Sequence, residues 1–361
     1  MFPPPSPQRT PTTQAPDPLA EAARQRPGWW RRLRERWTDD RPLQHIQVEV
    51  TSHCPGACCY CPRAVHADTW RARHMADSTF AALWPLMRRS RRVHLQGWGE
   101  PLLHPRFLDY VALARDAGCA VSSTTCGLRM DEALAGDIVR GGMDILAFSL
   151  AGTDEAGNAA RRHVPFARVA QAVACVRTAK RRLRRDTPHI HLAYLLLAGN
   201  EESARRLPEL MREWDVPVCV VSTLDMPVLP EHRRLAFAPE EGEKIAAARA
   251  LLEEAAARAA ADGRRIRYGL PQAHPIHACR EDIDKSCYVD ADGNISPCIY
   301  VNVPCAQPSA TASPWVFGRL PHDDPLEVWR RPEFVDFRGD LSHDVPPPPC
   351  LRCPKRYESF V

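Results

Sequence analysis

Between residues 46 and 222 the chain alternates short runs rich in β-branched residues with longer amphipathic segments, and this rhythm restricts the fold more than any other feature. Strands are expected over Ile46–Val50, Val93–Gln96, Ala120–Thr124, Ile145–Ser149, His189–Leu197 and Val218–Ser222. Helices are expected between them, near Ser78–Arg89, Pro105–Ala117, Asp131–Arg140, Val164–Arg184 and Glu201–Glu213. Strands alternating with helices build an α/β fold around a parallel sheet, open or closed into a barrel. Such folds gather their chemistry at the carboxyl ends of the strands.

The flanks differ in composition. Residues 1–20 are rich in Pro, Thr and Gln, bury almost nothing, and are expected to be disordered. Residues 21–45 follow as a basic helix and linker; the helix, over Leu19–Trp37, carries Trp29, Trp30, Leu33 and Trp37. It is read as lying on the outside or bottom of the barrel, the alternative being a membrane-surface or partner-docking helix. The barrel is expected over 46–235, a connecting helix (Pro239–Asp262) and short strand (Ile266–Tyr268) over 236–270, and a Cys- and Pro-rich tail over 271–361.

The 48 basic and 44 acidic side chains leave +4, too mild to argue for a nucleic-acid partner. No run approaches the roughly 18 apolar residues of a membrane helix, and the N-terminal tract has no signal-peptide apolar core. Fourteen cysteines in a chain read as cytoplasmic point to metal binding or catalysis rather than to disulfides.

Directly after the first strand comes Cys54-Pro-Gly-Ala-Cys58-Cys59-Tyr60-Cys61, in which three cysteines have the spacing C-x3-C-x2-C. Thiolates suit iron–sulfur clusters and zinc. A four-iron cluster held by three thiolates would leave one iron open to an outside molecule. Zinc ranks second, because its knuckle is usually a C-x2-C pair matched by another, and the only later one, Cys350 and Cys353, lies in the tail.

Other strand ends carry small and hydroxyl-bearing residues: Gly97-Trp98-Gly99-Glu100-Pro101 after the second, Thr124-Thr125-Cys126-Gly127 after the third, and Ser149-Leu150-Ala151-Gly152 after the fourth. Glycines there let backbone approach a ligand closely. Singly each run is an ordinary turn. Cys119, Cys175 and Cys219 have apolar neighbours and read as core filler. His104 reads as a helix-start residue, while His53, His189 and His191 carry no spacing signal.

Cys54–Cys61, together with Gly97–Pro101 and the following Leu102-Leu103-His104-Pro105, resembles the radical S-adenosylmethionine (radical SAM) superfamily, and the tail resembles its SPASM or twitch extension. The likeness runs from about Gln47 to Arg356. It implies a partial (β/α)6 TIM-type barrel in which Cys54, Cys58 and Cys61 hold a 4Fe-4S cluster. The open iron would chelate S-adenosyl-L-methionine, whose reductive cleavage gives a 5′-deoxyadenosyl radical that abstracts hydrogen. Tyr60 would lie near the adenine, and Gly97, Gly99 and Glu100 would receive the methionyl ammonium. Ser149 would reach the ribose, and Arg161, or else Arg162, would pair with the methionyl carboxylate.

The family's usual Thr-Asn-Gly is here Thr125-Cys126-Gly127, which leaves Cys126 without an assigned role. Cys59 is also extra and is expected to be a small buried residue. In the tail, Asp292-Gly293-Asn294-Ile295-Ser296-Pro297-Cys298 reads as a hairpin presenting Cys298. The resemblance assigns Cys279, Cys298, Cys350 and Cys353 to one auxiliary 4Fe-4S cluster, with Cys287 as the alternative to Cys279. A structural zinc site on the same four residues is the competing assignment. With only Cys305 between Cys298 and the last pair, a second auxiliary cluster is not expected.

The family implies a peptide or protein substrate first, and a small molecule or metal-cofactor precursor second, with an electron donor such as flavodoxin or ferredoxin. A zinc- or cluster-binding protein without radical chemistry is the reading from a different class.

Overall fold

The structure, a computed structural model, describes residues 17–24, 43–275, 279–303, 315–342, 345–351 and 353–360. Most of the Pro-rich tract, the tryptophans of the N-terminal segment and Cys305 lie outside these residues; of the helix expected over Leu19–Trp37, Pro18–Arg24 is described.

The alternating rhythm folds as expected. Strands β1 (Leu43–Val48), β2 (Ser90–Leu95), β3 (Ala120–Thr125), β4 (Ile145–Leu150), β5 (His189–Leu196) and β6 (Val218–Thr223) lie side by side in chain order, all parallel. β7 (Arg265–Pro271), expected as a short strand over Ile266–Tyr268 outside the barrel, pairs in parallel with β6 and continues the sheet. β8 (Ser286–Val289) returns to the opposite edge and pairs in parallel with β1, matching His45 to Ser286 and Val48 to Val289. β9 (Asn294–Ser296) and β10 (Gly318–Arg319) extend that edge antiparallel, and β11 (Glu358–Phe360) covers β7. The resulting 11-stranded sheet does not close on itself.

Along β3 to β6 alternate residues are buried. Ile46, Val93, Val121, Leu146, Leu192 and Val221 belong to one apolar core, shared with helices such as Phe107–Asp116 and Phe166–Leu183. The intervening set is polar at β1 and β2, where His45, Gln47, His94 and Gln96 line a cavity of about 440 Å3. Two helices expected as continuous are broken: Asp77–Ala82 is separate from Trp84–Met87, and Glu201–Ala204 from Leu207–Glu213. Pro85 and Pro208 cause the breaks, since a proline supplies no N–H and fits only a helix's first turn. The expected hairpin forms between β8 and β9, with Gly293 at φ 86° in its turn.

Candidate cofactor and cluster sites

The cysteine loop leaves β1 at the carboxyl end of the sheet and is held by backbone bonds to a distant segment. Ala57 N–H donates to Arg162 C=O at 2.9 Å and Cys59 N–H to Ala160 C=O at 3.0 Å, so the loop and the Arg161 turn are laced together. Cys61 then opens the short helix Pro62–Val65, and Arg63 donates back to Gly56 C=O. A Cβ placed on Gly56 would lie 3.6 Å from Cys54 Sγ and 3.8 Å from Cys58 Sγ, so both thiols flank the same bare backbone.

Burial pushes the Cys54 thiol up to about 11, with the Glu100 carboxylate and Cys61 adding to the effect; burial and Cys58 also raise Cys61. Clustered, desolvated thiols of this kind ionise readily only when a metal displaces their protons. Among the described residues no three His, Cys, Asp or Glu side chains converge as they would on a single metal ion. Thiols that each meet a different iron of a cluster stand further apart. Cys59, expected to be buried, is half-buried, and the charges of Arg162 and Arg234 act on it.

Next to this loop, the glycine turn after β2 sits against the backbone of the β1 exit. A Cβ on Gly99 would lie 2.1 Å from Thr51 C=O and 2.7 Å from His53 C=O, so only glycine allows the approach. Glu100 N–H donates to His53 C=O at 2.7 Å. The Glu100 carboxylate is already engaged: Oε1 accepts from Thr125 Oγ1 at 2.5 Å and from Leu102 N–H at 3.3 Å, and Oε2 accepts from Cys126 N–H at 2.7 Å. Its work is to tie the second and third strand ends together. His104 accepts from Arg106 N–H at its Nδ1 and donates from Nε2 to Met75 C=O, a structural helix-start role.

Arg161 lies on the other side of the loop, 6% exposed, its charge acting on Tyr60, Cys58 and Cys126. Its Nε and Nη1 have no hydrogen-bond partner among the described residues. Asn158 holds this turn in place, accepting from Ala151 N–H at 3.0 Å and donating to Val164 C=O at 3.1 Å. Arg162, the alternative, is exposed. Tyr60 packs against Ala151, Leu197 and Leu224 at the ends of β4 to β6. Ser149 Oγ donates to Thr125 C=O at 3.1 Å. Cys126 is buried beside Glu100 and Cys54, and burial raises its pKa strongly.

Two features went unnoticed in the sequence. Glu49, fully buried, accepts from Trp98 N–H at 2.8 Å and from Ala291 N–H at 3.4 Å, which links β1, the glycine turn and the β8–β9 hairpin. Burial, and then the Asp290 carboxylate, push it up to about 8. No local signal marks it, because Gln44, His45 and Gln47 before it already make the strand half polar. The second is Asp225, beyond β6, whose Oδ2 meets Lys355 Nζ at 2.8 Å and Tyr300 OH at 3.2 Å.

In the tail, Cys279, Cys298, Cys350 and Cys353 line one cavity of about 490 Å3. Burial pushes Cys279 and Cys353 each up to about 12, with neighbouring cysteines adding to it. Cys287 lies apart, on β8 within the main core, where burial raises it and Arg338 opposes. Cys119 and Cys219 are likewise core residues. The 490 Å3 cavity shares Glu281 and Tyr300 with the cavity at the β1–β2 face.

Comparison with known proteins agrees with this geometry. The family profile of the Radical SAM superfamily matches residues 48–213, and that of the SPASM iron–sulfur cluster-binding domain matches 279–354. A PqqA peptide cyclase of Streptomyces rochei is 30% identical over 135 residues, 35% of this chain and 36% of that protein. The cofactor-modifying protein of a tungsten-containing aldehyde ferredoxin oxidoreductase from Pyrococcus furiosus is 23% identical over 199 residues, 52% of this chain and 53% of its own length. The matched stretches thus span only about a third to a half of these relatives. Streptococcus suis SuiB bound to S-adenosylmethionine shares the fold at a TM-score of 0.63 and 12% identity, covering 84% of this chain and 69% of SuiB. The chain belongs to the radical SAM superfamily and carries a C-terminal SPASM iron–sulfur cluster-binding domain.

Proposed function

We propose that this chain is a radical SAM enzyme that modifies a peptide or protein, with Cys54, Cys58 and Cys61 holding the cofactor cluster and Cys279, Cys298, Cys350 and Cys353 holding one auxiliary cluster. The observation that carries the reading is Arg161: a buried guanidinium with two donors unpartnered among the described residues, set beside the Cys58 and Cys126 thiols and the Tyr60 ring. An unsatisfied buried charge is costly, and a carboxylate presented bidentately would satisfy it. When bound, the cluster and S-adenosylmethionine supply an electron and a 5′-deoxyadenosyl radical that abstracts hydrogen from the substrate.

The chain's own residues bind and orient. Arg161 takes the methionyl carboxylate, and the backbone carbonyls of the Gly97–Gly99 turn take the ammonium. Glu100 holds that turn through Thr125 and Cys126. Tyr60 and its apolar neighbours give the adenine a dry wall, with Ser149 at the ribose. Support for a peptide substrate comes from relatives: the PqqA peptide cyclases, and SuiB, which has been solved bound to its precursor peptide SuiA. The Pyrococcus furiosus relative supports a second reading, modification of a metal cofactor. Among the described residues no helix is long and apolar enough to cross a membrane. We place the enzyme in the cytoplasm, with a flavodoxin or ferredoxin as electron donor.

Anaerobic reconstitution with iron and sulfide, then S-adenosylmethionine and a reductant, tests the reading. About eight irons per chain, two four-iron clusters, and release of 5′-deoxyadenosine are expected. Replacing Cys54, Cys58 and Cys61 by Ala is expected to abolish cleavage and keep about four irons. Tightly held zinc with no 5′-deoxyadenosine would overturn it.

A further inference from the structure

The tail cysteines share a regularity that the spacing of the cysteines does not announce. Glu281, Tyr300 and Lys355 each lie two residues beyond a cavity cysteine (Cys279, Cys298 and Cys353), and all three turn to the same place. There they meet Asp225, which comes from the barrel just past the carboxyl end of β6. Lys355 Nζ stands 2.8 Å from Asp225 Oδ2, and Glu281 Oε1 is 3.9 Å from the same ammonium. Tyr300 OH donates to Asp225 Oδ2 at 3.2 Å, and Lys355 also lies 5.9 Å from the centre of the Tyr300 ring.

The pair is buried, with side chains 9% and 8% exposed. Charges taken out of water interact strongly with anything nearby, and a buried ion pair is weak evidence for stability in itself. It needs another reason to be where it is. Both partners line the cavity with the four cysteines, and the Asp225 and Glu281 charges reach the Cys353 thiol.

We propose that Asp225 and Lys355 are positioning residues that fix the four-cysteine cradle to the mouth of the barrel and set the reduction potential of the cluster held there. This rests on the ligand assignment above. A negative charge beside a cluster disfavours its reduction and a positive one favours it. The barrel contributes the negative member and the tail the positive one, so the cradle's electrostatics depend on the two parts being docked.

The test uses the full chain with Cys54, Cys58 and Cys61 replaced by Ala, so that only the tail site can load. Asp225→Asn and Lys355→Met are made singly and together, then reconstituted anaerobically. Iron per chain, the electron paramagnetic resonance spectrum of the reduced cluster and its midpoint potential are measured. The iron content is expected to hold. Asp225→Asn should move the potential upward, Lys355→Met downward, and the double variant back toward the parent. Support members that merely aid folding would lower iron content without shifts of opposite sign. Should Asp225→Asn fail to fold, the downward shift in Lys355→Met, which keeps most of its stem, decides alone. Loaded variants with the parent's potential would overturn the proposal and leave the ligand assignment standing. A parent that takes up no iron would overturn both.

Discussion

Arg161 and Glu49 are the two side chains whose burial is hardest to explain by packing alone, and they fail differently when changed. Among the described residues two donors of the buried Arg161 have no partner. Arg161→Ala should therefore leave the melting temperature of the cofactor-free chain unchanged or raised, because it removes a buried charge without a full set of bonds. The same change should weaken S-adenosylmethionine binding roughly ten- to a hundred-fold, the worth of a charge-assisted bond pair. Arg161→Lys should restore only part of the affinity, since an ammonium cannot make the forked contact. Equilibrium binding to the reconstituted protein, with melting of the unloaded one, checks both.

Glu49 responds to pH. Its carboxyl holds a proton up to about 8 in the folded chain, against 4.5 ordinarily, with burial as the main cause. Protonation stabilises the fold, so this contribution is complete below the ordinary value and is lost as pH climbs toward 8. Asp290, raised by its own burial, acts in the same direction. Glu49→Gln should therefore melt higher than the parent at pH 8.5, with the gap closing toward pH 5. A constant gap across that range would count against the assignment. Arg161 was legible only because the resemblance said where to look. Glu49 was not legible, as its partners Trp98 and Ala291 are far along the chain and nothing local distinguishes it from a solvent-facing strand residue.

At the scale of elements, the strand ends matter more than the strands. The turn after β2 works by steric absence, since Gly99 lets one strand exit lie on another. Gly99→Ala puts a methyl group 2.1 Å from Thr51 C=O, backbone that cannot step aside. It should cost several kcal/mol or prevent folding. Gly339→Ala, within the helix Pro332–Ser342 and with no described residue within 4 Å of the added carbon, should stabilise by about 1 kcal/mol. Thermal melting of the two single variants separates these outcomes.

Element positions were largely legible, because period-2 burial and the glycine runs between strands reflect local rules. The losses have identifiable causes. The amphipathic pattern runs straight through Pro85 and Pro208, where the backbone stops to bend. β7 was legible as a short strand over Ile266–Tyr268, but nothing local says that it joins β6 in the sheet, and its alternate arginines, Arg265 and Arg267, face solvent.

On the scale of the whole molecule, the tail is woven into the sheet at both ends. β8 covers the open edge of β1 and β11 covers β7, so the barrel strands are edged by residues from 286 onward. Arg73 also pairs with Asp292 across this junction, and Glu49 bonds into the hairpin from below. None of these pairings has a local signature. A strand joins an edge wherever its register and hydrogen bonds fit, and the partner of β1 lies more than two hundred residues further along.

The consequence is that the tail should not behave as a detachable module. A chain ending at residue 270 would expose the β1 edge, with the apolar Leu43, Ile46 and Val48 flanking unpaired N–H and C=O groups. Unprotected edges of that kind pair with other copies. The shortened chain is expected to accumulate as insoluble or oligomeric protein and to lose cluster uptake at Cys54, Cys58 and Cys61, even though all three cysteines remain. Size-exclusion chromatography with iron analysis checks this against the full-length protein carrying Ala at Cys279, Cys298, Cys350 and Cys353. That variant keeps the sheet and should stay monodisperse with about four irons. If the shortened chain instead proves monomeric and loads its loop cluster normally, the two ends of the sheet are covers only, and the coupling of tail and barrel does not reach the cysteine loop.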